Sequence, residues 1–104
     1  MSKGEYKSFH ISKGVKSNSQ RTPIKGYPNT NLDSYNIKTG RFKSRRKFGS
    51  DGYAKIDLDV GHFDHNYDDH VHDFDEHIRK NARSLTKKEK RELNKAKRKR
   101  KFYD

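Results

Sequence analysis

The sequence predicts a small α+β protein in which the strands come first and a basic helix or tail ends the chain. Two segments, 41–48 and 53–60, alternate between apolar and polar residues, which is typical of half-buried strands. Further on, Thr86 and Glu89 have the spacing of a helix capping box. Only 27% of the 104 residues are hydrophobic, so the composition limits the chain to one domain with a small core.

We divide the chain into three parts. Residues 1–25 are rich in Ser, Lys, Asn, Gln and Gly and are expected to form a polar flexible arm. Pro23 and Pro28 bracket a turn-rich entry into the folded core, which we place at 26–83. Residues 84–104 are the basic helix or tail.

The core contains a predicted run of strands at 32–37, 41–48 and 53–60, with turns between them. Pairing Phe48 with Ala54 keeps the charged side chains off the apolar face. That register places Arg45 opposite Asp57 and Lys43 opposite Asp59. We expect a connection of five residues in this hairpin.

The helix at the end of the chain has few apolar residues. Only Leu85, Leu93 and Ala96 could face a core, which is too few for a buried stripe. We therefore expect this helix to lie on the surface, to fray, or to fold on a polyanion.

The charge is large and unevenly distributed. The formal net charge is +12, which favours nucleic acid or an anionic membrane surface as partner. Residues 57–77 carry 8 acidic residues and no Lys or Arg, and they lie between two strongly basic blocks. The chain has no Cys, which excludes disulfides, thiolate zinc sites and cysteine nucleophiles. It also shows no apolar run of the ~18 residues that a membrane span requires, and no apolar signal segment.

Five of the six histidines lie within the acidic segment. Imidazole can both accept and donate a proton near neutral pH, so two histidines suffice for RNA cleavage without a metal ion. One would activate the ribose 2′-OH and the other would protonate the leaving 5′-oxygen. The candidate acid and base are His62, His70 and His72.

The same residues allow two other interpretations. His70 and His72 share one face of a short strand and, with Asp57, Asp59 or Asp69, could hold a divalent metal such as Mg or Zn. No HExxH motif or EF-hand loop supports that interpretation. Alternatively, the segment is a solvated loop that serves only solubility or incidental metal binding.

Basic residues supply candidate phosphate contacts. Arg45 and Arg46 could hold a phosphate by two-point contact, or could pair with Asp57 and Asp33 across the sheet. The remaining candidates for nucleic-acid binding are the lysines and arginines of the second strand and of the C-terminal run, which would add affinity without base specificity: Lys43, Lys47, Lys97, Arg98, Lys99 and Arg100.

A family resemblance lies in the stretch 28–74. The Pro-Asn segment at 28–29, the Arg45-Arg46-Lys-Phe strand, Ile56-Asp57-Leu58-Asp59, His62 and His70-Val71-His72 follow the order and spacing of the bacterial polymorphic toxin type 24 domain. The chain resembles that family over a little under half its length.

The resemblance implies a secreted or phage-borne nuclease that acts in the cytoplasm of a competing cell and is neutralised in the producer by a dedicated immunity protein. It implies a fold similar to the barnase, EndoU, colicin and RelE ribonucleases, with helices packed on a small curved antiparallel sheet. By resemblance, the site residues are Arg45, Arg46, Asp57, Asp59, His62, His70 and His72.

From the residues and the resemblance together, the predicted function is a metal-independent ribonuclease toxin with no cofactor. A deoxyribonuclease that uses a divalent metal on Asp57 and Asp59 is the alternative enzyme. A non-enzymatic nucleic-acid-binding or phage structural protein is the alternative outside enzymes. The expected partners are RNA or DNA and an immunity protein of negative charge.

Overall fold

The computed structural model describes residues 6–11, 22–36, 40–61 and 68–98, and it confirms the α+β class. The strands form one antiparallel sheet in sequence order, with β1 and β6 at its two edges. A helix follows the last strand. The elements are β1 (Tyr6–Ile11), β2 (Asn31–Asn36), β3 (Phe42–Phe48), β4 (Ala54–Asp59), β5 (His70–Asp75), β6 (Ile78–Arg83) and α1 (Lys87–Ala96).

The apolar side chains divide between the two faces of the sheet. One face carries a buried cluster against which Leu93 and Ala96 of α1 pack, formed by Tyr35, Phe42, Leu58 and Val71. The opposite face carries a smaller cluster of Leu32, Phe48 and Ala54, with Phe74 packed against it. The side chains alternate between the faces because successive residues of a strand point in opposite directions. We call the first the helix face and the second the open face.

The predicted register of the β3–β4 hairpin is correct at its closed end and wrong beyond it. Phe48 pairs with Ala54, as expected, across a connection of five residues. The register then shifts, because Lys47 pairs with Ile56 and Lys55 is left as an extra residue. From Ile56 onward, each residue of β4 therefore pairs with the residue of β3 next to the one expected.

The consequence falls on the charged residues. Arg46, not Arg45, lies opposite Asp57, and Ser44, not Lys43, lies opposite Asp59. Arg45 instead lies opposite Leu58, so it belongs to the helix face. A one-residue shift reverses the face of each side chain, which is why the two arginines exchange their roles.

Two edge strands lie where the sequence predicted none. β1 falls within the expected arm and pairs antiparallel with β2. β6 pairs with β5 through a tight turn at Glu76 and His77, both of which have positive φ angles (48° and 71°). Such a turn is usually signalled by glycine or asparagine, and β6 is exposed over nearly its whole length, so it lacks the alternation that identifies a strand.

The helix begins as predicted but does not lie loosely on the surface. The Thr86 side chain accepts from the Glu89 backbone N–H, and the Glu89 carboxylate accepts from the Thr86 N–H. Leu93 and Ala96 are buried in the cluster of the helix face, and Leu85 packs against the same cluster. Glu92 adds hydrogen bonds from Arg45 and Lys47 of β3.

Within the described ranges, no helix has the length and apolar character needed to cross a membrane.

Candidate active site

The candidate site lies on the open face, where β4 and β5 run side by side. Asp59 pairs with His70, and Asp57 pairs with His72. Because the residues of each pair are directly opposite on adjacent strands, all four side chains project from the same face. Two carboxylates and two imidazoles are thus brought together by backbone pairing alone.

The backbone fixes the tautomer of both histidines. The Nδ1 atom of His70 lies 3.0 Å from the Asp68 carbonyl oxygen. The Nδ1 atom of His72 lies 2.7 Å from the carbonyl oxygen of Lys80 on β6. A carbonyl oxygen can only accept, so each Nδ1 carries the proton and donates it. The Nε2 atom of each ring is therefore the one that can exchange a proton or bind a ligand.

Both Nε2 atoms face the same carboxylate oxygen. His70 Nε2 lies 3.6 Å and His72 Nε2 lies 3.8 Å from Asp59 Oδ2. These distances are longer than a hydrogen bond. The two rings are nearly perpendicular, with their centroids 5.0 Å apart. The side chains are 9% and 15% exposed, so His72 is the more accessible of the two.

Arg79 completes the cluster and was missed in the sequence. Its Nη2 donates to Asp59 Oδ2 at 2.6 Å, and its Nε donates to Asp57 Oδ2 at 3.1 Å. The Arg79 side chain is nevertheless 44% exposed, so part of this arginine stays accessible to solvent beside the two imidazoles. Arg79 lies on β6, and without that strand no feature of the sequence placed it near the histidines.

Asp59 is the electrostatic centre of this group. Burial, and then repulsion from Asp57, raise the pKa of the Asp59 carboxyl, and Arg79 offsets only part of this effect. A carboxylate in this position favours a positive charge close by. The nearest groups that can supply one are Arg79 and the two imidazoles.

Arg46 lies on the same face but is fully engaged in the structure. Its Nε and Nη2 bind the two oxygens of Asp57 at 2.7 and 2.8 Å. Its Nη1 donates to the carbonyl oxygens of Thr22 and Pro23. Its guanidinium also lies 4.9 Å from the centre of the Phe74 ring. Asp57, which accepts from two arginines, is a structural anchor in this arrangement.

Arg45 is not brought to the histidines. It projects from the helix face, where its Nε and Nη2 bind Asp33 at 2.8 and 3.0 Å and its Nη1 binds Glu92. The hydrogen bonds that it donates to Asp33 are the main reason that the Arg45 pKa is raised. The predicted pairing of the two arginines with Asp57 and Asp33 is thus found. The bulge places Arg46 opposite Asp57, whereas Arg45 binds Asp33 because the two residues pair between β2 and β3.

The other predicted basic residues are distributed over the surface. Lys47 is held by Glu92, and Lys97 is held by Asp69 at 2.7 Å. Lys43 is half-buried and Arg98 is exposed just after α1. The remaining candidates His62, Lys99 and Arg100 lie outside the described residues.

Comparison of the chain with protein-family models, with curated proteins and with solved structures found no match. The toxin resemblance therefore stays a prediction from the residues that carry it. The groups from which a function can be inferred lie on the open face. We define the imidazole cluster as Asp59, His70, His72 and Arg79.

Proposed function

We propose that the protein is a nuclease toxin domain, and specifically a metal-independent ribonuclease whose reacting groups are His70 and His72. One observation carries this proposal. Two imidazoles, each held by a backbone carbonyl at Nδ1, direct Nε2 towards the same carboxylate oxygen beside the partly exposed side chain of Arg79. Such a pair can accept and donate a proton across one phosphate.

The proposed reaction is an internal transfer within RNA. The neutral imidazole accepts the proton of the ribose 2′-OH at Nε2, and the 2′-oxygen attacks the adjacent phosphorus. The protonated imidazole donates its Nε2 proton to the 5′-oxygen as the P–O5′ bond breaks. The products are a 2′,3′-cyclic phosphate and a free 5′-OH. Asp59, 3.6 and 3.8 Å from the two nitrogens, would stabilise whichever imidazolium is present.

The phosphate-binding role that the sequence suggested for Arg45 and Arg46 is assigned to Arg79 instead. Arg79 is more exposed than either and lies beside the imidazoles. Its charge would stabilise the negative charge that develops on the phosphate oxygens. Further affinity would come from the basic C-terminal residues, including Lys97, Arg98, Lys99 and Arg100.

The biological setting is part of the same proposal and is based on the toxin resemblance and the charge of +12. The domain would be secreted or delivered by phage or contact, and would act in the cytoplasm of the target cell. A small curved sheet with helices packed on it, the fold that the toxin resemblance implies, is proposed together with this setting. A dedicated acidic immunity protein would associate rapidly with such a basic surface. It would cover the open face, where His70, His72 and Arg79 lie.

Two alternatives define the controls. A deoxyribonuclease that uses a divalent metal is supported by the closeness of Asp59 to the two histidines, although Asp57 is already bound by two arginines. A nucleic-acid-binding or phage structural protein would need only the positive charge.

Single-turnover cleavage of labelled RNA and DNA, each with and without EDTA, separates the three. We expect cleavage of RNA in EDTA, with a 3′ product end that is a cyclic phosphate. His70→Ala and His72→Ala should each lower the rate by about 10² to 10⁴ with little change in RNA affinity. His77→Ala is the matched control, because His77 is exposed and stacks on Tyr53 away from the cluster.

The outcomes that contradict the proposal are distinct. Loss of all parent activity in EDTA would assign the site to metal catalysis. Parent rates in both His70→Ala and His72→Ala, with folding verified by circular dichroism, would exclude the histidine mechanism. Binding of RNA and DNA with no cleavage of either would leave the non-enzymatic alternative.

A further inference from the structure

We infer that Asp59, His70 and His72 form a binding site for a divalent cation of the zinc class, and that the cation inhibits cleavage when it is bound. The binding itself follows from the geometry of the three side chains. The inhibition rests on the proposed ribonuclease function.

The three side chains have the spacing of metal ligands. One ligand atom from each lies within 4.8 Å of the others. A tetrahedral zinc ion with bonds of about 2.0–2.1 Å requires ligand atoms separated by about 3.3–3.4 Å. The observed distances from Asp59 Oδ2 to the two Nε2 atoms are 3.6 and 3.8 Å and need to shorten by a few tenths of an ångström. The two Nε2 atoms must also come equally close to each other, which a small rotation of the imidazole rings would allow.

The groups behind the ligands also match a metal site. A histidine that binds a metal through Nε2 usually donates its other ring N–H to a carbonyl or a carboxylate, which orients the ring. His70 and His72 both donate Nδ1–H to backbone carbonyl oxygens, at 3.0 and 2.7 Å. The ligands also lie on two hydrogen-bonded strands, so they are positioned before any ion arrives.

Arg79 does not prevent binding. It donates to Asp59 Oδ2 at 2.6 Å, but a carboxylate oxygen has two lone pairs and can accept a hydrogen bond and bind a cation together. Arg46 and Arg79 together carry two positive charges, and the carboxylates of Asp57 and Asp59 match them. The surroundings are therefore close to neutral, and the attraction for a cation comes from the three ligand atoms themselves.

The donor set determines which cation it is. Two imidazole nitrogens and one carboxylate oxygen favour Zn²⁺ and its neighbours, whereas Mg²⁺ and Ca²⁺ prefer oxygen ligands and a larger shell. Three protein ligands leave a position of the ion for water or for a substrate oxygen.

Occupation of this site would remove the groups that the ribonuclease needs. The cation would take the Nε2 lone pairs of His70 and His72, which are the same lone pairs that exchange protons in the proposed reaction. Zinc and catalysis would therefore compete, and EDTA would raise the activity of a preparation that contains zinc.

The test is calorimetric titration of the tag-free full chain with ZnCl₂, and separately with MgCl₂, after treatment with EDTA and dialysis. We expect one zinc per chain with high affinity and no comparable uptake of magnesium. Asp59→Asn and His72→Ala should each weaken zinc binding by more than about tenfold, while the control His77→Ala should not. The melting temperature of the parent should also rise with zinc and that of Asp59→Asn should not.

The results separate this inference from the proposed function. Zinc affinity that is equal in the parent, Asp59→Asn and His72→Ala, all folded, would overturn the site and leave the ribonuclease proposal standing. Binding by the parent that fails equally in His77→Ala would assign the zinc to scattered histidines and also overturn it. Specific zinc binding by a chain that cleaves no RNA would support the site and refute the ribonuclease. RNA cleavage that zinc leaves unchanged at saturating occupancy would overturn the inhibition.

Discussion

Replacement of Arg46 by alanine tests whether this arginine holds the fold or contacts a substrate. Asp57 is buried and Arg46 is half-buried, with side chains 6% and 12% exposed. Removal of one partner of a buried ion pair costs about 3–5 kcal/mol, because the other charge stays buried. Arg79 still donates to Asp57, which places Arg46→Ala near the low end of that range, at about 3 kcal/mol. Removal of the guanidinium from the Phe74 ring adds about 0.5–1 kcal/mol.

The expected total of about 3.5–4 kcal/mol is a large part of the stability of a small domain, which is about 5–15 kcal/mol. Unfolding of the parent and of Arg46→Ala in urea, followed by circular dichroism, measures it. Lys55→Ala is the matched control, since Lys55 pairs with Asp51 at an exposed position and its removal should leave the unfolding midpoint unchanged.

A structural role for Arg46 would be refuted if the free energy of unfolding of Arg46→Ala lay within about 1 kcal/mol of that of the parent. If that folded variant also cleaved RNA more slowly by over about 10²-fold, Arg46 would be a substrate contact, as the sequence first suggested. Cleavage is therefore measured at a temperature where both proteins are folded.

Three further predictions concern the helix and the charged tail. Thr86→Ala should lower the free energy of unfolding by about 1 kcal/mol, because the Thr86 side chain no longer accepts the capping hydrogen bond from the Glu89 N–H. Thermal unfolding measures the decrease, with Thr86→Ser as the control. Hydrogen bonds from Arg83 lower the pKa of Glu89 to about 2. This contribution to stability should be complete above the ordinary pKa of 4.5 and disappear as the pH falls towards about 2, so denaturation curves of the parent and of Glu89→Gln should converge on acidification. Removal of residues 99–104 spares the buried Ala96 and should weaken the dependence of RNA affinity on salt. In filter binding, the slope of log affinity against log salt should become less steep by about 0.7 for each phosphate that the tail neutralises. An unchanged slope would show that the tail neutralises none.

The parts of the fold that depend on neighbouring residues could be predicted from the sequence. The alternation over 53–60 identified β4, although the bulge puts Ala54 on the open face and Ile56 and Leu58 on the helix face. The spacing of Thr86 and Glu89 identified the start of α1. These patterns are local, because a strand repeats every two residues and a capping box spans four. The same two-residue period placed His70 and His72 on one face before any contact was known.

Only the tertiary structure decided which residues lie beside His70 and His72. The bulge at Lys55 placed Arg46 instead of Arg45 opposite Asp57, and the sequence carries no local signal for that extra residue. The edge strand β6, which carries Arg79, has an exposed polar sequence with no core face to shape it. Asp59, its histidine neighbours and Arg79 come from three strands, and only the pairing of those strands across the sheet brings their side chains to one point.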